Sequence, residues 1–127
     1  MPTTARMLLW VALGSAIGGV ARASVGSWVE GSLQVPHRTL IVNVTGSFVL
    51  GFFLHWAGQQ ATDHPNLRAF VAVGLCGGYT TFSTFSFDTV VLLETGAYAR
   101  AVLYVALSVL GSVGAVLLGF VSAKALD

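Results

Sequence analysis

Residues 77–86 read Gly-Gly-Tyr-Thr-Thr-Phe-Ser-Thr-Phe-Ser and stand between two hydrocarbon runs. The run AFVAVGLC precedes them, and VVLL follows after Phe87, Asp88 and Thr89. Hydroxyls, paired glycines and two phenylalanines inside a membrane-length segment need a physical reason. In lipid each unpaired backbone group costs several kcal/mol, so a helix breaks at that depth only where protein buries it or a polar path runs beside it. Breaks at mid-membrane free carbonyls and amides that converge on one spot, which suits them to binding ions. The plainer reading is a loop joining two short hydrophobic helices, but residues 69–76 alone are far too few to span a bilayer.

Two polar stripes accompany this string. Residues four apart share a helix face, which aligns Thr39, Asn43 and Ser47 in one hydrophobic segment and Tyr104, Ser108 and Ser112 in another. Neither stripe carries a charge, and both offer hydrogen-bond donors. For any single serine, an interhelical hydrogen bond worth about 0.6 kcal/mol is explanation enough. Asn43 is different, because an amide near mid-membrane is costly without a partner. Together the stripes and the break predict a path lined by donors and poor in carboxylates, which suits an anion. Phe82 and Phe85, at i and i+3, share a face, and an aromatic ring has a positive edge. Two rings presented edge-on complement a small anion without a fixed charge, whereas an arginine in the path would hold it too tightly to conduct. Taken alone, the two phenylalanines are better explained by core packing.

The elements that must position these residues follow from composition. The chain has 127 residues, 55% hydrophobic and only 9% charged, with a mean hydropathy of +0.81. Soluble domains are about 25% charged, so this is an integral membrane protein. A net charge of +1 with no basic cluster gives no reason to expect a nucleic-acid partner. The single cysteine, Cys76, excludes an internal disulfide and reads as a small apolar residue beside the break. A spanning helix needs about 20 apolar residues. Four segments qualify: residues 7–29, 39–58, 67–93 (containing a break near 77–83) and 97–123. The links between them are too short to hold a soluble domain, so residues 1–127 form a single four-helix transmembrane domain. The first segment has a rival reading, since Arg6, an apolar run and Ala21-Arg22-Ala23 resemble a signal peptide with its cleavage site. Three further spans favour a retained helix.

Cationic residues on loops normally set orientation. Here Arg6, Arg68 and Lys124 fall on one side, and Arg38, Arg100 and, loosely, Arg22 on the other. A chain without bias inserts both ways up, and the two orientations can pair as an antiparallel dimer; the alternative is a single orientation chosen by other features. Small-residue patterns, Gly14-x-x-x-Gly18, Ser47-x-x-x-Gly51 and Gly111-x-x-x-Ala115-x-x-x-Gly119, favour close helix packing and are expected to support a tight, dimeric bundle.

The string at residues 77–86, the asparagine of the second segment and the Tyr-x-x-x-Ser-x-x-x-Ser stripe of the fourth resemble the Fluc/CrcB family of bacterial fluoride channels, over essentially the whole chain. The resemblance implies an all-α, antiparallel, dual-topology homodimer in the bacterial cytoplasmic (inner) membrane, with two separate fluoride pores. On the same resemblance, Phe82 and Phe85 contact fluoride by their ring edges and Asn43 donates to it. Ser83 and Thr84 are the hydroxyl residues beside those rings. Tyr104, Ser108 and Ser112 form a fourth-helix polar track, and Arg22 lies near the aqueous vestibule. The resemblance also implies a structural sodium ion on the two-fold axis, held by the backbone carbonyls of Gly77 and Thr80 from both subunits. Family members often carry glutamate after the Phe-Ser string; this chain has Asp88.

The expected function is passive, fluoride-selective export conferring fluoride resistance, with no catalysis. The runner-up is a small dual-topology, proton-coupled multidrug exporter. Such exporters depend on a membrane-embedded glutamate in the first helix, and here no carboxylate precedes Glu30. A non-transporting assembly subunit would leave the hydroxyl-rich break unexplained. A cation channel built on Gly-Gly-Tyr would lack the repeated carbonyl-lined loop.

Overall fold

The computed structural model describes residues 1–29 and 35–127, and every regular element among them is helical. Helix α1 (Thr3–Trp28) starts directly after Pro2 and stops where Val29 turns extended. Helix α2 (His37–Gly58) starts directly after Pro36. Both prolines precede a first turn whose N–H groups have no intrahelical partner, the place where a helix tolerates them. Helix α3 (Pro65–Arg68) has its proline in the first turn, where a fixed φ favours initiation. It runs without interruption into a π-helical stretch (Ala69–Cys76) and a last turn, α4 (Gly77–Tyr79). Thr80 and Thr81 are extended, and helix α5 (Phe82–Glu94) begins again beyond them. Gly96, at φ +76°, makes the turn into helix α6 (Tyr98–Lys124), a left-handed conformation that glycine adopts without steric cost.

Helices α1, α2 and α6 are each long and apolar enough to cross a membrane. Their outward residues, Leu13, Ile17, Val20, Leu110 and Leu117 among them, are more than half exposed. In water such a surface would be an association liability; in hydrocarbon it is the fitting one. The break is narrower than the sequence suggests. Its expected span was 77–83, yet Gly77–Tyr79 stay helical and Phe82 already belongs to α5, leaving two extended residues. The reason is a cap on either side: Thr80 still donates its N–H and its hydroxyl to the Cys76 carbonyl, and Thr81 caps α5.

Glycines set the packing. Gly14 and Gly18 of α1 meet Gly74 and Gly78 across the seam with the broken segment. A Cβ on any of the four would collide with backbone of the facing element, Leu75 or Tyr79 nitrogen at 2.8 Å in the cases of Gly14 and Gly18. Gly51 of α2 lies on the Val116 carbonyl of α6, and Gly119 of α6 lies on Phe48 and Phe52 of α2. The small-residue patterns thus serve close packing within the chain, pairing α1 with the broken segment and α2 with α6. Backbones approach this closely only where side chains are absent. Near the start of α2 a small core joins Val35, Phe85 and Tyr104, with Leu40 and Leu92 packed on it.

Candidate functional site

Breaking a helix in hydrocarbon leaves backbone groups that need new partners, and Asn43 supplies them. Its Nδ2 donates to the Thr81 carbonyl at 2.9 Å, and its Oδ1 accepts from the Thr81 N–H at 2.7 Å. The carboxamide replaces, with side-chain atoms, the pair of bonds a continuing helix would make there. One N–H of Nδ2 stays free for another acceptor. The stripe on α2 is therefore aimed at the broken segment along its length. Thr39 Oγ1 donates to Asp88 Oδ2 at 2.9 Å, Asn43 brackets Thr81, and Ser47 faces a cavity beside the break.

Thr81, which the sequence reading did not single out, organises the far side. Its hydroxyl accepts the Thr84 N–H at 3.2 Å and donates to Thr84 Oγ1 at 3.1 Å, and it lies 3.2 Å from Ser83 Oγ. Gly46 was also missed. A Cβ there would run into the Thr80 methyl and the Tyr79 ring, so a bare α-carbon is what lets the break seat against α2. The available signals were the N-cap position of Thr81 before a new helix and the placement of Gly46 one turn beyond Asn43.

A cavity of about 320 Å³ opens against the break, lined by Asn43, Ser47, Thr80, Thr81, Phe82, Phe85, Ser108 and Ser112, with Val109 and Val113. Five of the residues named from sequence for an ion path thus meet at one place. Ser108 is buried, and among the described residues its hydroxyl has no hydrogen-bond partner. Phe82 and Phe85 lie with ring centroids 5.4 Å apart at 54°. Phe85 is 9% exposed but Phe82 is 76% exposed, so within one protomer one wall of the cavity is open.

The other named residues lie elsewhere. Tyr104 does not line this cavity. It is fully buried, packs on Phe85 at 5.3 Å, and donates its hydroxyl to Asp88 Oδ2 at 3.0 Å. Only Ser108 and Ser112 of the fourth-helix track reach the cavity, while Tyr104 with Thr39 holds the Asp88 carboxylate and ties α2, α5 and α6 together. Arg22 and Thr84 face a second cavity of about 300 Å³, together with Gly26, Arg38, Thr39, Val42 and Thr81. Thr81 lines both cavities. Ser83 is exposed and touches the assembly through Thr81. His55 is buried, 3.1 Å from Asp127 and edge-on to Phe120.

The carbonyls of Gly77 and Thr80 can be tested as cation ligands. In an unbroken helix the Gly77 carbonyl would accept the Thr81 N–H, and the Thr80 carbonyl the Thr84 N–H. Here the first N–H goes to Asn43 and the second to the Thr81 hydroxyl. Among the described residues no donor reaches either carbonyl. Two neutral oxygens freed from the same break fit a hard monovalent cation better than a transition metal. Among the described residues no cluster of histidine, cysteine or carboxylates could hold a metal instead.

Residues 9–120 match the family model described as CrcB-like protein, Camphor Resistance (CrcB). Three similar proteins carry the name fluoride-specific ion channel FluC. The one from Rhodospirillum centenum is 43% identical over 118 residues, covering 90% of this chain and 92% of that protein. The one from Nitrobacter winogradskyi is 46% identical over 121 residues, covering 88% and 90%. The one from Methylocella silvestris is 42% identical over 127 residues, covering 94% of each.

Proposed function

The chain belongs to the CrcB-like family, and from that premise we infer that it is a fluoride-specific ion channel and not an enzyme. The observation that carries the reading is the break itself: an uncharged, donor-lined cavity at mid-segment, with two phenylalanines on its wall and a buried serine hydroxyl that has no partner among the described residues. Fluoride is a small, strongly hydrated acceptor, and a path that replaces its water must offer donors without fixing the ion in place. Asn43, Ser108 and Ser112 supply N–H and O–H groups, and the ring edges of Phe82 and Phe85 supply weak positive charge. Flow is passive, and a negative-inside potential drives the anion outward. This is how the channel would confer fluoride resistance at the bacterial inner membrane. The exporter alternative finds no support, since α1 carries no carboxylate. The test is planar-bilayer recording under opposed fluoride and chloride gradients. Currents should reverse close to the fluoride equilibrium potential. Reversal near the chloride or proton potential would refute the reading.

The finer architecture is also proposed: residues 65–94 form a fourth, broken span, and two protomers pair antiparallel. The balanced cationic residues support dual insertion. The 76% exposure of Phe82 supports a second protomer closing the open wall, with two pores per dimer. Such a dimer would bring four carbonyls, from Gly77 and Thr80 of each protomer, to its axis, where they would hold a structural sodium ion. That ion would supply only positive charge to keep the two breaks together. In sealed vesicles, Tyr98→Cys is expected to react with a membrane-impermeant maleimide to about half of completion, the buried Cys76 staying silent. Labelling of all or none of the protein would exclude dual insertion.

A further inference from the structure

We propose that Arg38 is a second anion-gathering residue at the mouth of the pathway, acting with Arg22 to concentrate fluoride before it reaches the break. The inference rests on the channel reading above and adds a residue that the family resemblance does not supply.

Arg38 and Arg22 line the same cavity of about 300 Å³, from α2 and α1 respectively, and the cavity ends on Thr81 and Thr84. Because Thr81 also lines the donor-rich cavity, the two spaces are consecutive along one route. Arg38 is held in place: its Nε donates to the Val29 carbonyl at 3.0 Å, across the gap between the end of α1 and the start of α2. That bond uses one of five N–H donors and leaves the terminal nitrogens of the fork available. Gly26, one turn after Arg22, has nothing among the described residues within 4 Å of where a Cβ would stand, which leaves space beside Arg22. Among the described residues, no carboxylate lines this cavity. Asp88 sits behind Thr39, its carboxylate occupied by Thr39 and Tyr104.

Two guanidiniums around one mouth raise the local anion concentration, and walls of low dielectric strengthen the effect. They lie before the break rather than in it, so they attract fluoride without trapping it at the narrow point. The signature is dependence on ionic strength. A charge acting through solution is felt over about 30 Å at 0.01 M salt and about 8 Å at 0.15 M, whereas a packing role is indifferent to salt.

The experiment measures initial fluoride efflux from proteoliposomes containing the full chain, at low ionic strength and again with a high concentration of an impermeant salt. Arg38→Gln is expected to slow efflux about two- to fivefold at low ionic strength and to match the unmodified protein at high ionic strength. Arg38→Lys, which keeps the charge, should stay near the unmodified rate in both. Arg100→Gln removes an exposed charge at the start of α6, outside this cavity, and should slow efflux less than Arg38→Gln at low ionic strength and not at all at high ionic strength. Equal rates for Arg38→Gln at low ionic strength would overturn the proposal. So would a deficit that salt leaves unchanged, or an equal deficit in Arg100→Gln. Absence of fluoride efflux from the unmodified protein would instead overturn the channel reading, a result visible before any variant is compared.

Discussion

Asn43→Ala is expected to lower fluoride flux by at least about a hundredfold, which corresponds to about 2.8 kcal/mol of lost stabilisation along the path. Three losses coincide. The Thr81 N–H and carbonyl lose both partners, at a cost of about 1–3 kcal/mol for each buried group left unpaired. The cavity loses its one carboxamide donor. Third, where the Thr81 N–H escapes that cost, it does so by returning to the Gly77 carbonyl and extending the helix, filling an oxygen that the proposed sodium site needs. Thermal stability should therefore fall together with flux, and sodium should no longer raise it. Asn43→Asp separates these effects. It keeps an acceptor for the Thr81 N–H, loses the donor to the Thr81 carbonyl, and places a negative charge beside an anion path. Its flux should be as low as that of Asn43→Ala while its stability is better preserved. Normal flux in either purified variant, measured by fluoride efflux from liposomes, would remove Asn43 from the path.

The second large effect concerns the two phenylalanines, which the geometry predicts will respond differently. Phe82→Ile is expected to reduce flux about tenfold or more with a smaller fall in melting temperature than Phe85→Ile, because Phe82 is 76% exposed in the protomer and, in the proposed dimer, lines the ion cavity rather than the packed core. Phe85→Ile should reduce flux comparably and also destabilise, since Phe85 is buried against Tyr104 at 5.3 Å. Losing that ring contact and leaving a partly filled space costs about 1–3 kcal/mol. Flux and melting temperature measured side by side separate the two cases. Undiminished flux in Phe82→Ile would return that ring to the role of packing surface.

Much of this arrangement is legible in the sequence because lipid imposes few solutions. The long apolar runs of α1, α2 and α6 follow from hydrophobic length, and the 77–86 string announces a break because hydroxyls and glycines there have no other use. The i, i+4 stripe of Thr39, Asn43 and Ser47 correctly marks the face of α2 that meets the broken segment. Three features were not legible, each for a reason. The two-residue extent of the break is not legible, because Gly77–Tyr79 and Phe82 have no local preference that reveals where Thr81 will cap α5. Tyr104 looks like part of a continuous track with Ser108 and Ser112, but periodicity gives only a face. How far a side chain reaches depends on its partner, and the phenol goes to Asp88. The glycine patterns announce close helix packing, yet which helices they join, Gly14 and Gly18 with Gly74 and Gly78, is a tertiary choice that spacing cannot specify. Thr81, the residue both cavities share, sits beside more conspicuous neighbours and gave no signal beyond its place before a helix.

The central claim is that this break conducts fluoride selectively, and the most direct measurement is efflux from liposomes loaded with potassium fluoride, read with a fluoride electrode after valinomycin is added, beside identical vesicles loaded with potassium chloride. The structure predicts rapid, valinomycin-dependent fluoride release with little chloride release. Well-folded protein that releases no fluoride, or that releases chloride as readily, would contradict it.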